Sequence, residues 1–501
     1  MTLLSLNRRR YGFPPFQRSV IFMPDKPKSN DSNPDDPDSD EDDWSTYASA
    51  GYAYSGVDTD ETVEIVESSK DEWFDGDDFE FQGAVINWDA PPCPAPLGIE
   101  HLIRIGSCDH CLQRLAGRRT AAQGAAGGAI IRSEARARNL DLESLEKPDL
   151  CPLCEDLFDD VENIVIRIID QTGDVEHSSI QFGIHLPKDL VEEEDRIRTR
   201  HGSPGSQPMK PAFVNAIQDA LLTSVNEVQF VKEKPDLMIL VDGLTLRVSV
   251  DVRPVFLFGR YLKLERGIPQ TRWPCRACRG RGGGCESCSG TGLQYLDSVQ
   301  DLIGEPLRIA LDAEDTSFHG MGREDIDVRC LGRGRPFVME IKRPQRRRID
   351  LEEIQKAINL SAEDRVEINS LRWSDRAEVR RVKETRSEKS YTIRFRVEEM
   401  PEEDFVIESI LGLSGVKLAQ ETPKRVSHRR AAKTRHRTVN SVSDVTVDGD
   451  EVQFTLQCEA GTYVKELIHS DEGRTVPSVR SVLGDLECEV LWLDVQEIHS
   501  E

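Results

Sequence analysis

The chain has 501 residues, 31% of them charged, and a formal net charge of −26. At roughly 100 to 200 residues per domain this length allows about three domains, which excludes a disulfide-stapled miniprotein. Neither the first 24 residues, despite Arg8-Arg9-Arg10, nor any later stretch carries the apolar run of a signal or membrane segment, so a soluble, cytoplasmic protein is expected.

Most of the acidity is local. Asp25 to Glu80 holds 20 Asp/Glu against three Lys, a net −17, which leaves −9 for all other residues. Like-charge repulsion with almost no apolar area to bury predicts a disordered acidic extension over residues 1–85. The residual acidity also fits a halophilic, high-salt cytoplasm, where surface carboxylates keep a protein hydrated and salt screens their repulsion. Any nucleic-acid site must then be a local basic patch.

A first cysteine-bearing region runs from about Trp88 to Leu157, interrupted by the Ala/Gly-rich stretch Ala121 to Ala129, and reads as a zinc-stapled module with a helix inside it. Arg200 to Pro211 has loop chemistry, after which Phe213, Ile217 and Leu221 recur at helical spacing. Leu237 to Val241, the turn Asp242-Gly243 and the alternating Leu244, Leu246, Val248, Val250 and Val252 predict a hairpin. Together these make residues 86–253 an α+β domain.

From Pro254 the signals are mixed: a second cysteine block, a helix with Leu351, Ile354 and Ile358 on one face, and alternating strands at Tyr391 to Val397 and Val452 to Cys458. No regular β-α-β repeat appears, so residues 254–501 are expected to form a large mixed antiparallel sheet.

Eight of the twelve cysteines fall into four C-x-x-C pairs, which is metal spacing. Cys108, Cys111, Cys151 and Cys154 can supply four thiolates to one tetrahedral zinc. Cys275, Cys278, Cys285 and Cys288, set among glycines that permit a tight backbone, form a second set in a ribbon insert at residues 273–292. Redox dithiols or core cysteines are the competing account. Four sulfurs leave no open coordination position, so both zincs should be structural. Cys93, Cys330, Cys458 and Cys488 stand alone and read as core residues.

Thr422 to Asn440 carries seven Lys/Arg and no acid. In so acidic a chain, Arg425, His428, Arg429, Arg430 and Arg435 of this stretch are candidates for contacting RNA phosphates. Arg343 to Arg348 is a second, weaker basic run.

Three short stretches carry a catalytic signal: Gly322-Arg323-Glu324-Asp325-Ile326-Asp327-Val328-Arg329, Lys389-Ser390-Tyr391, and Gly461-Thr462-Tyr463-Val464-Lys465. In this order they resemble the pseudouridine synthase motifs, an Arg-x-Asp loop, a Lys-x-Tyr strand and a Gly-Thr-Tyr-hydrophobe-Lys/Arg strand. Phe258 to Trp273, Gly334-Arg335-Pro336-Phe337 and His428-Arg429-Arg430-Ala431 narrow the resemblance to archaeal and eukaryotic tRNA pseudouridine synthases with an N-terminal THUMP-containing domain, which modify T-loop uridines 54 and 55. The likeness covers about Trp88 to the C-terminus. It departs in the acidic extension and at Ala432, where an acid is expected.

The resemblance implies a pseudouridine synthase catalytic fold, tRNA as partner through its T-arm and no obligate protein partner. It makes Asp325 the catalytic aspartate, Tyr391 the ring that stacks on the target base and Lys465 the cation paired with the aspartate, with Arg323 and Tyr463 toward substrate. Asp327 is the rival carboxylate, read as structural; in a strand-like segment it would share the face of Asp325. Isomerising uridine breaks a C–N bond and rejoins the same uracil through carbon without redox change, so no organic cofactor is needed. The alternatives are a non-catalytic zinc-containing tRNA-binding THUMP protein, a THUMP-linked methyltransferase, for which no Gly-rich nucleotide loop follows a strand, and a zinc-ribbon chaperone, which would lack the later motifs.

Overall fold

The computed structural model describes residues 98–500 apart from 117–121, 143–148, 202–205, 226–227 and 428–430. The acidic extension and Cys93 therefore lie outside the described residues. All described residues belong to one compact unit.

The N-terminal portion begins with helices α1 (Gly98–Arg104), α2 (Asp109–Ala116), α3 (Gly124–Arg138) and α4 (Val161–Thr172). Within the Ala/Gly-rich stretch, Gly124 to Ala129 form the start of α3. A Cβ on Gly128 would sit 1.8 Å from the Asp109 carbonyl oxygen, so glycine there lets α3 lie directly against α2. Then come β1 (Ser179–His185), α5 (Lys188–His201), α6 (Met209–Ser224), β2 (Gln229–Phe230), β3 (Leu237–Asp242) and β4 (Arg247–Val252). Phe213, Ile217 and Leu221 are buried on α6 as their spacing predicts.

These strands form a sheet ordered β2-β1-β3-β4, with β1 parallel to both neighbours and β3 and β4 antiparallel. The β3–β4 turn is longer than the expected Asp242-Gly243. Asp242 Oδ1 accepts hydrogen bonds from the amides of Leu244 and Thr245, which removes Leu244 from the strand and leaves it 71% exposed.

The C-terminal portion contains β5 (Val255–Lys263), α7 (Val299–Ala310), β6 (Asp315–Gly320), β7 (Arg329–Lys342), α8 (Leu351–Ser361), β8 (Val366–Ser374), α9 (Arg376–Glu384) and β9 (Glu388–Val397). It continues with α10 (Glu403–Leu411), β10 (Lys417–Glu421), β11 (Thr434–Asp448), β12 (Glu451–Cys458), α11 (Val464–His469), β13 (Thr475–Val476), α12 (Val479–Val482) and β14 (Cys488–His499). Ten strands form one mixed sheet in the order β13-β10-β11-β12-β9-β14-β7-β5-β8, with β6 on β7. Among the described residues of this sheet, only the β14–β7 pair is parallel.

Side chains alternate across a pleated strand, and here the alternation divides the sheet between two cores. Leu257, Phe337 and Met339 pack with Ile303 and Ile358 of α7 and α8, while their neighbours Phe258 and Val338 pack with Val382 of α9, Ile410 of α10 and Leu467 of α11. Cys330, Cys458 and Cys488 are buried as expected.

Within the basic run Arg343 to Arg348, Arg343, Arg347 and Arg348 are engaged by acids of the protein itself. The Arg347 and Arg348 amides donate to Glu176 Oε2, Arg347 pairs with Asp236 at 3.2 Å, and Arg343 pairs with Glu314. Glu176 and Asp236 flank the small sheet, so this run ties it to the large one.

Candidate active site

Asp325 sits in the loop between β6 and β7. The segment is a turn, not the strand-like stretch expected, with the Val328 amide donating to the Asp325 carbonyl at 3.1 Å. Asp327 therefore does not share a strand face with Asp325.

The loop backbone is held almost carbonyl by carbonyl. Arg335 Nη1 donates to Met321 O, Gln270 Nε2 to Gly322 O, Lys263 Nζ to both Asp325 O and Ile326 O, and Arg266 Nη1 to Asp327 O, all within 3.1 Å. The donors come from β7 and from the end of β5 with the segment that follows it.

Beneath the loop lies a buried polar cluster. The Glu324 side chain, wholly enclosed, accepts from Tyr261 Oη at 2.9 Å and ion-pairs with Arg335 at 2.9 Å and Lys263 at 3.9 Å. Burial pulls the Lys263 ammonium down, against which Glu324 pulls it up. Burial also opposes the Arg335 charge, yet Glu324, with Cys330, Tyr261 and Tyr391 adding to it, outweighs that and holds it raised. On the other side, enclosed Asp494 binds Arg266 and Arg329, each at 2.6 Å.

Asp325 faces two cations: Arg425 Nη1 lies 3.2 Å and Lys465 Nζ 3.4 Å from its Oδ2. Burial works against its ionisation, but Arg425 and then Lys465 outweigh it and hold the carboxyl below its ordinary value. Lys465 lies closer to Asp327, 2.8 Å from both oxygens, so it bridges the two aspartates. Arg425 is itself fixed by buried Glu466 at 2.6 Å. The stretch carrying Lys465 is the helix α11 rather than a strand, and Lys465 lies in its first turn.

Tyr391 lies on β9 as expected. Its register partner on β14, Val495, also pairs with Cys330 on β7, so Tyr391 sits two strands from the strand that the Asp325 loop feeds. Burial, with Cys458 and Asp325 among the nearby acids, pushes its phenol well above the usual range. The phenol therefore stays protonated and neutral. On the same strand, burial and then Arg335 pull Lys389 down to about 8.

The remaining expected substrate residues are placed less uniformly. Arg323 lies over the Trp273 ring, 6.0 Å from its centroid. Tyr463 is buried, its backbone clasped by the Gln420 side chain at 2.9 Å on both sides, and its phenol bears on the Arg425 charge. Arg435 lies not in a loop but on β11, opposite Gln420 of β10, and donates to Thr422 Oγ1 at 3.0 Å, and Lys424 pairs with Glu472. His428, Arg429 and Arg430 lie outside the described residues.

Each cysteine set converges. The sulfurs of Cys108, Cys111, Cys151 and Cys154 lie within 4.8 Å of one another, as do those of Cys275, Cys278, Cys285 and Cys288. Zn–S bonds of about 2.3 Å in a tetrahedron require sulfurs about 3.8 Å apart, and the closer pairs stand at 3.6 to 3.9 Å. Backbone amides of Cys285 and Gly292 donate to Cys288 Sγ and bring that thiol down to about 6, toward the thiolate a metal takes. Both donor sets fit zinc.

The family model described as "Pus10, C-terminal" matches residues 256–499. The tRNA pseudouridine synthase Pus10 of Methanothermobacter marburgensis is 40% identical over 398 residues, covering 78% of this chain and 94% of the relative. That of Halorubrum lacusprofundi is 35% identical over 402 residues, covering 79% and 93%. That of Methanothrix thermoacetophila is 40% identical over 341 residues, covering 68% and 74%. A solved Cbf5-Nop10-Gar1 complex aligns at 16% identity over 48% of each chain with a TM-score of 0.28.

Proposed function

The chain belongs to the Pus10 family of tRNA pseudouridine synthases, and from that membership we propose that it isomerises uridine 54, uridine 55 or both in the tRNA T-loop, with Asp325 as the catalytic carboxylate. It is an isomerase. The observation that carries the residue assignment is an aspartate on a backbone-clamped loop, kept anionic by Arg425 and Lys465 and close enough to Tyr391 to bear on its phenol.

An extruded uridine loses its stacking neighbours, and the Tyr391 ring replaces one of them. The Asp325 anion then serves either nucleophilic attack or removal of a sugar proton. Once the C–N bond has broken, the uracil must turn within a closed pocket and present C5, whose hydrogen is lost as the C–C bond forms. Lys465 and Arg425 keep the carboxylate charged as water leaves. A fixed loop matters because the sugar must meet the carboxylate within a few tenths of an ångström.

Residues 86–253 serve in this reading as a THUMP-containing RNA-binding domain and 254–501 as the catalytic domain. The two cysteine sets each hold one structural zinc, supported by their sulfur spacing. The 422–440 loop, through His428, Arg429 and Arg430, contacts the T-arm in the cytoplasm. Incubating unmodified tRNA with the protein and mapping pseudouridine by carbodiimide-dependent reverse-transcription stops tests this reading. Stops at 54, 55 or both are expected; none in any tRNA would leave RNA binding alone.

A further inference from the structure

The 372–386 segment carries six Lys/Arg against three acids, a local net of +3 in a chain of −26. Two of the six, Arg372 and Arg381, are taken up by Glu378. Arg376, Arg380 and Lys383 are exposed and form no ion pair among the described residues. At spacings of four and three residues they make one stripe along α9, about 10 Å long at 1.5 Å per residue.

Val382, on the buried side of α9, and Val379, half-buried at its edge, pack into the same core as Met321, Val328 and Tyr391, so the helix lies on the catalytic face of the sheet. Its ends are tied at two informative places. Beyond its C-terminus, Ser387 Oγ touches Met321 Sδ at 3.3 Å at the start of the catalytic loop. At its N-terminus Asp375 caps the helix and pairs with Lys234, of the segment between β2 and β3, at 3.1 Å. The stripe therefore spans the ground between the Asp325 loop and the small N-terminal sheet.

We propose that Arg376, Arg380 and Lys383 form a phosphate track that holds the RNA backbone between the catalytic loop and the N-terminal sheet. The track rests on the reading that the substrate is RNA, and adds a surface separate from the 422–440 loop. Its occupant follows from charge complementarity: exposed cations in a row on a helix that carries no aromatic residue suit a sugar-phosphate backbone rather than base edges.

The test replaces all three residues with glutamine and compares binding of unmodified tRNA from about 50 to 200 mM salt. Each phosphate contact contributes a factor of roughly 3.5 over that fourfold change in salt, so losing three should shrink the fall in affinity about 40-fold. KM should rise while kcat at saturating tRNA stays unchanged. Because the three side chains are exposed, the variant should melt with the parent. An unchanged salt slope and KM would overturn the track while leaving the enzyme reading intact. A parent that makes no pseudouridine, with a variant that still loses affinity and slope, would overturn the enzyme reading while supporting the track.

Discussion

Glu324→Gln keeps the size of the side chain and the Tyr261 hydrogen bond but removes the charge from the centre of the buried cluster. Arg335 is 1% exposed and the Lys263 side chain 0%, so neither cation can turn to water when its counter-charge is lost. Removing one partner of an enclosed ion pair costs about 3–5 kcal/mol. The unfolding entropy grows with size, so for a unit of this length each kcal/mol is worth only about 1 °C and the melting temperature should fall by about 5 °C. The same cations clamp the loop, Lys263 at Asp325 O and Ile326 O and Arg335 at Met321 O. The single-turnover rate at a temperature where the variant is folded should therefore fall as well. Circular-dichroism melting and single-turnover assays read the two effects. Adding Lys263→Met to Glu324→Gln should recover part of the stability by removing one unmatched cation, but not the rate, because the carbonyl clamps go with the ammonium. A single variant that melts within about 2 °C of the parent and turns over normally would refute the argument.

Arg425 and Lys465 hold Asp325 below its ordinary value, so activity should be present above that depressed pKa and lost as pH falls through it; Lys465→Ala or Arg425→Ala should move the acid limb of the rate profile upward, and an unmoved limb would contradict the charge argument. Elemental analysis of unchelated protein should find two zincs per chain, and Cys151→Ser should unfold the helices around the first set, because zinc binding is folding free energy there; one zinc or fewer would remove a site. Deleting residues 25–80, which lie outside the described residues, should leave modification of tRNA intact in vitro, since an acidic segment repels a polyanion; loss of activity would assign it a role. Arg429→Ala with Arg430→Ala should weaken tRNA binding and flatten its salt dependence, and an unchanged slope would remove the 422–440 loop from the substrate interface.

What the sequence exposes here is chemistry packed into short spans. The C-x-x-C pairs announce themselves because a knuckle is local, and the two sets converge as their spacing implies. The hydrophobic alternation of β9 and β12 and the helical spacing of Phe213, Ile217 and Leu221 are likewise local signals, and their elements form. The second cation on Asp325 is not local: Arg425 lies 100 residues further on, and within a run of seven like charges nothing singles it out. The Glu324 cluster joins residues from β5, the loop and β7, so it exists only once three segments meet; its trace in sequence was the Phe258 to Trp273 stretch, readable as a likeness but not as a clamp. Val464-Lys465 follows a strand and reads as its continuation, yet Tyr463 is held by Gln420 and the chain turns into α11. The stripe on α9 escapes a search for charge runs because Asp375, Glu378 and Glu384 interleave with it, and only the helix turns Glu378 away to the side of Arg372 and Arg381.

The central claim is that Asp325 performs the isomerisation, and the most direct measurement is release of tritium from tRNA labelled at uracil C5 under single-turnover conditions. Parent protein and Asp327→Asn should release it, Asp327→Asn more slowly because Lys465 bridges both carboxylates. Asp325→Asn should bind tRNA nearly normally and release none. Release by Asp325→Asn at the parent rate, or its loss in Asp327→Asn alone, would contradict the assignment.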